Sequence, residues 1–321
     1  MERRAFLTTA AIGTAAAATG LSLPAMAQGK KAVIGVSIPS ATHGFMGGLN
    51  WHAQDTIKRL KATYPNLEFV LATAGAVGKQ VNDIEDMVAT RNIDALVVLP
   101  FESEPLTSPV KAVKDAGKWV TVVDRGLSQA GIEDLYVAGD NTAFGRVSGE
   151  YFRANLKPGA KIVVLRGIPT TLDNERVDAF KIAIEGSGIE ILDMQHGNWN
   201  RDKAFSVMQD YLSKHKKIDA VWAADDDMAI GVMEAIAQSG RQKEMWIVGG
   251  AGMKQIIKRV MDKDPQIPVD VSYPPALIST ALEVTALNFV SATPVYGRFI
   301  IGSTLITAEN AAQFYFPDSP F

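Results

Sequence analysis

Three aspartates stand in a row at Asp225-Asp226-Asp227, directly after the apolar run Ala220-Val221-Trp222-Ala223. Adjacent carboxylates can hold a metal, act as an acid/base pair, or open a helix. Consecutive residues at a helix start point in different directions, so three of them do not converge on one ion. A start of the helix over 228–239, whose positive end attracts carboxylates, is the reading that remains. Other residues with chemistry stand in similar places, each beyond an apolar run: His43 and Phe45, Phe101, Asp124-Arg125 and Trp199. Aromatic rings alternate there with single polar groups. That is the composition of a carbohydrate site, where flat rings face C–H surfaces while carboxylates and amides take the hydroxyls. His43 in its neutral form both donates and accepts, as an amide does. The chain has only four His, and no second ligand at metal spacing lies near His43, so no metal is expected.

The elements that must position these residues follow from periodicity. Short apolar runs are predicted as strands over 32–37, 67–72, 95–99 and 119–123, with helices over 47–63, 79–91 and 105–116 between them. The pattern then restarts, with strands over 161–165, 189–195, 220–224 and 245–249 and helices over 174–185, 202–214 and 228–239. Continuous apolar strands between amphipathic helices mean parallel sheets covered on both faces. Two such arrays stand in tandem, joined directly by 136–140 without a Gly/Pro/Ser-rich linker. A last segment, 269–305, holds one more strand, a helix over 276–290 and an extended run over 299–305, and crosses back between the arrays. In open parallel sheets ligands bind beyond the carboxyl ends of the strands, which is where the polar and aromatic residues fall.

Composition narrows the function classes. The chain of 321 residues suffices for two domains, and its net charge of −3 gives no reason to expect nucleic acid. Residues 1–27 combine Arg3 and Arg4, an alanine-rich apolar run and a small-x-small end at Ala25-Met26-Ala27. That is the anatomy of an export signal, with cleavage expected before Gln28. The arginine pair followed by Phe6 and Leu7 resembles a twin-arginine signal, with ordinary Sec export as the alternative. There is no cysteine, so neither disulfides nor a lipid-bearing Cys is expected, and a free periplasmic protein fits.

Several stretches, in this order and spacing, resemble the periplasmic sugar-binding proteins of the ribose-binding type, which feed ABC importers. They are VVDRG (122–126), GDNTAFGRVSGEY (139–151), ERVDAF (175–180), NRDKAFSVMQDYL (200–212) and DAVWAADDDMAIGVMEAI (219–236). The resemblance implies an α/β fold of two Rossmann-like lobes with parallel sheets joined by a multi-strand hinge, the type I periplasmic binding protein fold. It places one lobe at 31–139 plus 274–300 and the other at 140–273 plus 301–321. It puts Asp225 on a polar ligand position, with a helix cap as the alternative, and Asp226 and Asp227 at the helix start as caps. It makes Asp124 an acceptor and Arg125 a donor to hydroxyls, and gives Phe45 and Trp199 stacking roles. His43 falls where many relatives have Asn. The chain departs from the pattern at Leu99, at Asn174 (commonly Arg), at Ala251 (commonly Asp) and at Tyr273 (commonly Gln). Fewer charged partners point away from ribose toward a pentose, tetrose or sugar alcohol. The implied partner is an ABC permease in the inner membrane; a chemoreceptor or sensor kinase is the alternative, and no cofactor is implied. Two rivals weigh less. Asp124 and Asp225 could form a glycosidase pair, but the resemblance and the lack of a G-x-S-x-G arrangement argue against an enzyme. A LacI-type repressor core needs a helix-turn-helix headpiece, and an export segment stands in its place.

Overall fold

The computed structural model describes residues 31–291 and 293–321; the export segment read at 1–27 lies outside the described residues. The chain opens with β1 (Ala32–Pro39), α1 (Gly44–Thr63), β2 (Leu67–Ala74), α2 (Val77–Ala89), β3 (Ala95–Val98), α3 (Ser103–Asp115), β4 (Trp119–Val123) and β5 (Leu135–Gly139). It continues with α4 (Asn141–Asn155), β6 (Lys161–Arg166), α5 (Thr171–Ile184), β7 (Glu190–His196), α6 (Arg201–Lys214), β8 (Ala220–Ala223), α7 (Asp226–Ser239), β9 (Trp246–Val248) and α8 (Lys254–Met261). Then follow β10 (Asp270–Val271), α9 (Leu277–Val290), β11 (Gly297–Ile301) and β12 (Leu305–Ile306).

The strands form a six-stranded sheet in the order β11-β5-β4-β3-β1-β2 and a four-stranded sheet in the order β7-β6-β8-β9. Both are parallel throughout. Their strands are apolar on both faces because helices cover both faces. In β3, Ala95 and Val97 belong to one core cluster and Leu96 and Val98 to another, which is the two-residue alternation of a strand buried on each side. We refer to the α/β layers around the two sheets as the first and second lobes.

The chain passes between the lobes after β5, after β10 and after β11. The last passage is tied where the Asp140 N–H donates to the Ile301 carbonyl at 2.8 Å and the Ser303 hydroxyl donates to the Asp140 carbonyl at 3.0 Å. Two sequence expectations change here. The joining segment at 136–140 is largely a strand, β5, held between β4 and β11. The extended run expected at 299–305 is two strands in different sheets, β11 beside β5 and β12 antiparallel to β10. Periodicity reports burial and cannot say which neighbour a short strand finds.

Helices also begin earlier than their apolar pattern does. The first starts at Gly44 rather than 47, since Gly44, Gly47 and Gly48 are poor helix formers and carry no periodic signal. Its first turn is secured from outside: the Gly44 N–H donates to an Asp227 carboxylate oxygen at 2.6 Å.

Candidate functional site

The sites begin where strands end. After β4 the backbone turns into the left-handed region at Asp124, with φ of 59°. Few side chains adopt that conformation without support. Here the Asp124 N–H donates to the Val137 carbonyl at 2.8 Å, and the Tyr136 hydroxyl donates to the Asp124 carbonyl at 2.6 Å. The turn aims Asp124 and Arg125 between the lobes. After β7, Asn198 and Trp199 are both left-handed, with φ of 58° and 52°. Trp199 packs on Gly167, where a Cβ would stand 2.1 Å from the indole, so only glycine fits there. After β9, Ala251 takes φ of 124°, a strained value for a residue with a Cβ.

The three aspartates now part company. Asp225 is the N-cap of α7 and accepts from the Met228 N–H at 3.0 Å. Asp226 is fully buried and accepts from the Gly250 and Met253 N–H groups, each at 2.7 Å, which holds the loop that carries Ala251. Asp227 reaches across to the first lobe, accepting from Gly44 and, at 3.1 Å, from Arg201 of its own lobe. The expectation that Asp226 and Asp227 cap the helix is therefore corrected. The helix starts at Asp226, so the cap moves one residue back to Asp225, and its neighbours are free for tertiary bonds.

Between the lobes lies a cavity walled by His43, Phe45, Asp124 and Arg125 from the first lobe and by Arg176, Trp199 and Asp225 from the second. Leu172, Ala251 and Tyr273 complete it. About 30 Å³ between these walls admits the centre of a water-sized group. That is far below the ~300–1,000 Å³ of common small-molecule sites, so the space is narrow. The Tyr273 hydroxyl donates to Asp124 Oδ1 at 2.5 Å. Arg125 donates to the Phe101 carbonyl at 2.6 Å, and its guanidinium lies 5.6 Å from the Trp199 ring centroid. Arg176 is clamped between rings, 4.2 Å from Phe144 and 4.3 Å from Tyr273, while donating to Asn141 Oδ1 and to the Ala224 carbonyl.

Two carboxyl groups, of Asp124 and Asp225, and two guanidiniums, of Arg125 and Arg176, line the cavity together with aromatic rings. Burial dominates the protonation equilibria. It lowers the His43 imidazole to about 4 against the pull of Asp227, leaving the ring neutral at pH 7. Burial and the charge of Asp227 push the Asp225 carboxyl well above the carboxylate range. Burial and the Asp124 charge push the Tyr273 phenol up, and burial lowers the Arg125 guanidinium against the charge of Asp124. Among the described residues, His43 Nδ1, Arg125 Nε and Trp199 Nε1 are buried without a protein partner. Buried polar atoms are costly to leave unpaired, and these three belong to residues that line one cavity.

Of the residues singled out from the sequence, His43, Phe45, Asp124, Arg125, Trp199, Asp225 and Tyr273 line this space, whereas Phe101 and Asn174 do not. Phe101 contributes its backbone to orient Arg125. Asn174 sits inside α5, past its cap at Thr170, and accepts from Arg166 at 2.6 Å. Arg176, buried and central, went unselected. Its signal was present: Leu172, Arg176 and Phe180 recur at helical spacing, and a charge on an apolar stripe marks a buried partner.

Two parallel-sheet lobes with a small cavity between them, walled by aromatic rings and a few charged side chains, define a hinged ligand-binding protein. The sequence profile of the family described as periplasmic binding protein domain matches residues 34–287. The chain belongs to that family. It is 29% identical over 251 residues to the ribose import binding protein of Bacillus subtilis (strain 168), covering 78% of each chain. Among solved structures, an ABC transporter solute-binding protein from Mycobacterium smegmatis with bound glycerol is 27% identical with a TM-score of 0.80, covering 90% of this chain and 98% of that one. The fructose-binding periplasmic domain of a hybrid two-component system is also 27% identical, with a TM-score of 0.78 and coverage of 88% and 92%.

Proposed function

We propose that this protein is the solute-binding component of an ABC importer and closes its two lobes on a small neutral carbohydrate or polyol. The observation that carries the reading is the cavity itself: aromatic walls, carboxyl and guanidinium groups from both lobes, and three unpartnered buried polar atoms on its lining residues. Hydroxyls of a neutral ligand can pair with all of these without bringing in a charge to be desolvated. The relatives named for ribose import and for bound glycerol support the ligand class. Asp124, Arg125, Arg176 and Asp225 serve as hydrogen-bonding partners, His43 as a neutral donor and acceptor, and Phe45 and Trp199 as stacking surfaces. The lobes are assigned to 31–139 plus 274–300 and to 140–273 plus 301–321. Export to the periplasm on the 1–27 segment, delivery to an inner-membrane permease, and binding without catalysis belong to the same proposal.

Closure follows from linkage. A ligand shifts the equilibrium toward the closed form only because it contacts both lobes there. A dissociation constant near ~1 μM corresponds to about −8 kcal/mol net. Presentation of ligand to a membrane receptor is the second reading, favoured by the likeness to the fructose-binding domain of a two-component system.

The test is a thermal-shift screen of the chain from Gln28 against aldoses, ketoses, tetroses and pentitols, with amino acids as controls. Ligand that binds only the folded form raises the melting temperature, by an amount that grows with its concentration. A shift with one carbohydrate class is the expected result. A flat response to every carbohydrate by folded, ligand-free protein overturns the reading.

A further inference from the structure

We propose that Tyr273 is a built-in occupant of the ligand site and restricts it to carbohydrates of about four carbons, tetroses or tetritols. This rests on the carbohydrate reading above and sharpens it.

The ring enters the site from the crossover between β10 and α9, 2% exposed. Space has been cleared for it: a Cβ at Gly139 would lie 2.1 Å from the Tyr273 ring, so the end of β5 must be glycine. Its backbone is anchored where the Tyr273 N–H donates to the Ala251 carbonyl at 3.4 Å, beside the bridge between Ala251 and Ser272. Three neighbours hold it: Arg176 stacks at 4.3 Å, Phe45 tilts against it at 5.9 Å and Phe144 meets it edge-on at 6.1 Å. A ring packed among these groups does not swing away freely to admit a ligand.

Its hydroxyl behaves as a ligand hydroxyl would. It donates to Asp124 Oδ1 at 2.5 Å. That carboxylate oxygen is therefore already served from within the protein. The partners left for a ligand can be counted from the residues named. Three buried polar atoms lack a partner, at His43, Arg125 and Trp199. Asp124 and Asp225 each keep one carboxylate oxygen without a protein donor among the described residues. A hydroxyl uses one acceptor and up to two donors. The acceptors in this set are two carboxylate oxygens and, in one tautomer, His43 Nδ1, enough for about three hydroxyls against the four of a cyclic pentose, the five of a hexose and the six of an inositol. The ring of Tyr273 narrows the space that extra carbons need.

Calorimetric titration of the folded, ligand-free protein with glycerol, erythritol, D-threitol, D-erythrose, D-ribose, D-allose and myo-inositol tests this. The wild type is expected to bind a four-carbon ligand at least about tenfold tighter than any pentose, hexose or inositol. Tyr273→Ala is expected to reverse or erase that margin by opening both the volume and Asp124 Oδ1. Tyr273→Gln, which keeps a polar side chain in the site, should do the same if the alanine variant does not fold. Tyr273→Phe keeps the ring and so keeps the size limit. Wild type that binds a pentose or hexose as tightly as the four-carbon ligands overturns the proposal and leaves the carbohydrate reading standing. Unchanged selectivity in a folded Tyr273→Ala or Tyr273→Gln variant overturns the role of Tyr273. No binding of any member removes the carbohydrate reading and the proposal with it.

Discussion

At the scale of single residues, the proposed site is marked by polar groups left buried and short of partners. Asp124→Ala removes the acceptor that Tyr273 and ligand share, and should weaken binding by about 2–3 kcal/mol, some thirty- to hundredfold, with the circular dichroism spectrum unchanged. Trp199→Ala should weaken binding and remove the ligand-induced change in fluorescence; an unaltered affinity would make it a packing residue only. His43 predicts a pH dependence. Its folded value of about 4 lies below the ~6.5 of an unfolded histidine. Between those values the unfolded chain holds a proton that the folded protein does not. The stability contributed by neutral His43 is therefore complete above about pH 6.5 and lost as pH falls toward 4, on the order of 2 kcal/mol. Asp270 works in the opposite sense. Burial raises its carboxyl to about 7, so the folded form keeps a proton that the unfolded chain releases above about 4. Its share of stability declines as pH rises through that window. Melting temperatures from pH 4 to 7 should separate the two: His43→Asn flattens the acid-side loss, and Asp270→Asn gains on the wild type as pH rises.

At the scale of elements, the site depends on how closely helices approach. Gly145 of α4 touches α5 at the residue that holds the site: a Cβ there would lie 1.9 Å from the Arg176 carbonyl oxygen. Gly231 of α7 meets the Arg201 carbonyl on α6 at 2.2 Å in the same sense. Backbone atoms cannot swing aside as a side-chain tip does, so alanine at either position forces the pair apart. Gly145→Ala should cost about 1–3 kcal/mol in urea unfolding and also weaken binding, because it displaces Arg176. Gly231→Ala should cost a similar amount with a larger effect on closure, since α6 and α7 carry Arg201 and Asp227. The residues 311–314 form a short 3-10 turn beside α8, and the chain beyond it continues to the first lobe. Lys254 holds that stretch by donating to the Pro317 and Ser319 carbonyls, and Phe321 ends against Gly48 with its ring edge-on to Phe45 at 6.1 Å. An aromatic end that the sequence left without a role thus backs one wall of the cavity.

At the scale of the whole molecule, closure is a contest between a few interlobe bonds and the freedom of the hinge. Asp227 is the clearest latch, joining Gly44 of the first lobe to Arg201 of the second. Asp227→Ala removes a charge-assisted bond across the cleft and should raise the ligand dissociation constant about fivefold to tenfold, about 1–1.5 kcal/mol. Small-angle scattering should show the variant needing more ligand than wild type to reach the compact form. Equal ligand requirements would mean that Asp227 only orders its own lobe.

Local rules reached the fold class, the tandem of two βα arrays and the strand ends where chemistry gathers, because hydrophobic periodicity is written along the chain and parallel sheets place ligands at one end of their strands. They reached Asp124, Arg125, Trp199 and Asp225 for the same reason. They could not divide the work among Asp225, Asp226 and Asp227, because a one-residue shift of a helix start changes which carboxylate caps and which two are free. They passed over Arg176, whose importance lies in the two rings that clamp it, from α4 and from the crossover, far apart in sequence. They read Tyr273 as a ligand contact and could not see its bond to Asp124, which joins residues 149 positions apart. Contacts between distant segments depend on how the sheets are stacked and how far the lobes close, and no local pattern of residues encodes either.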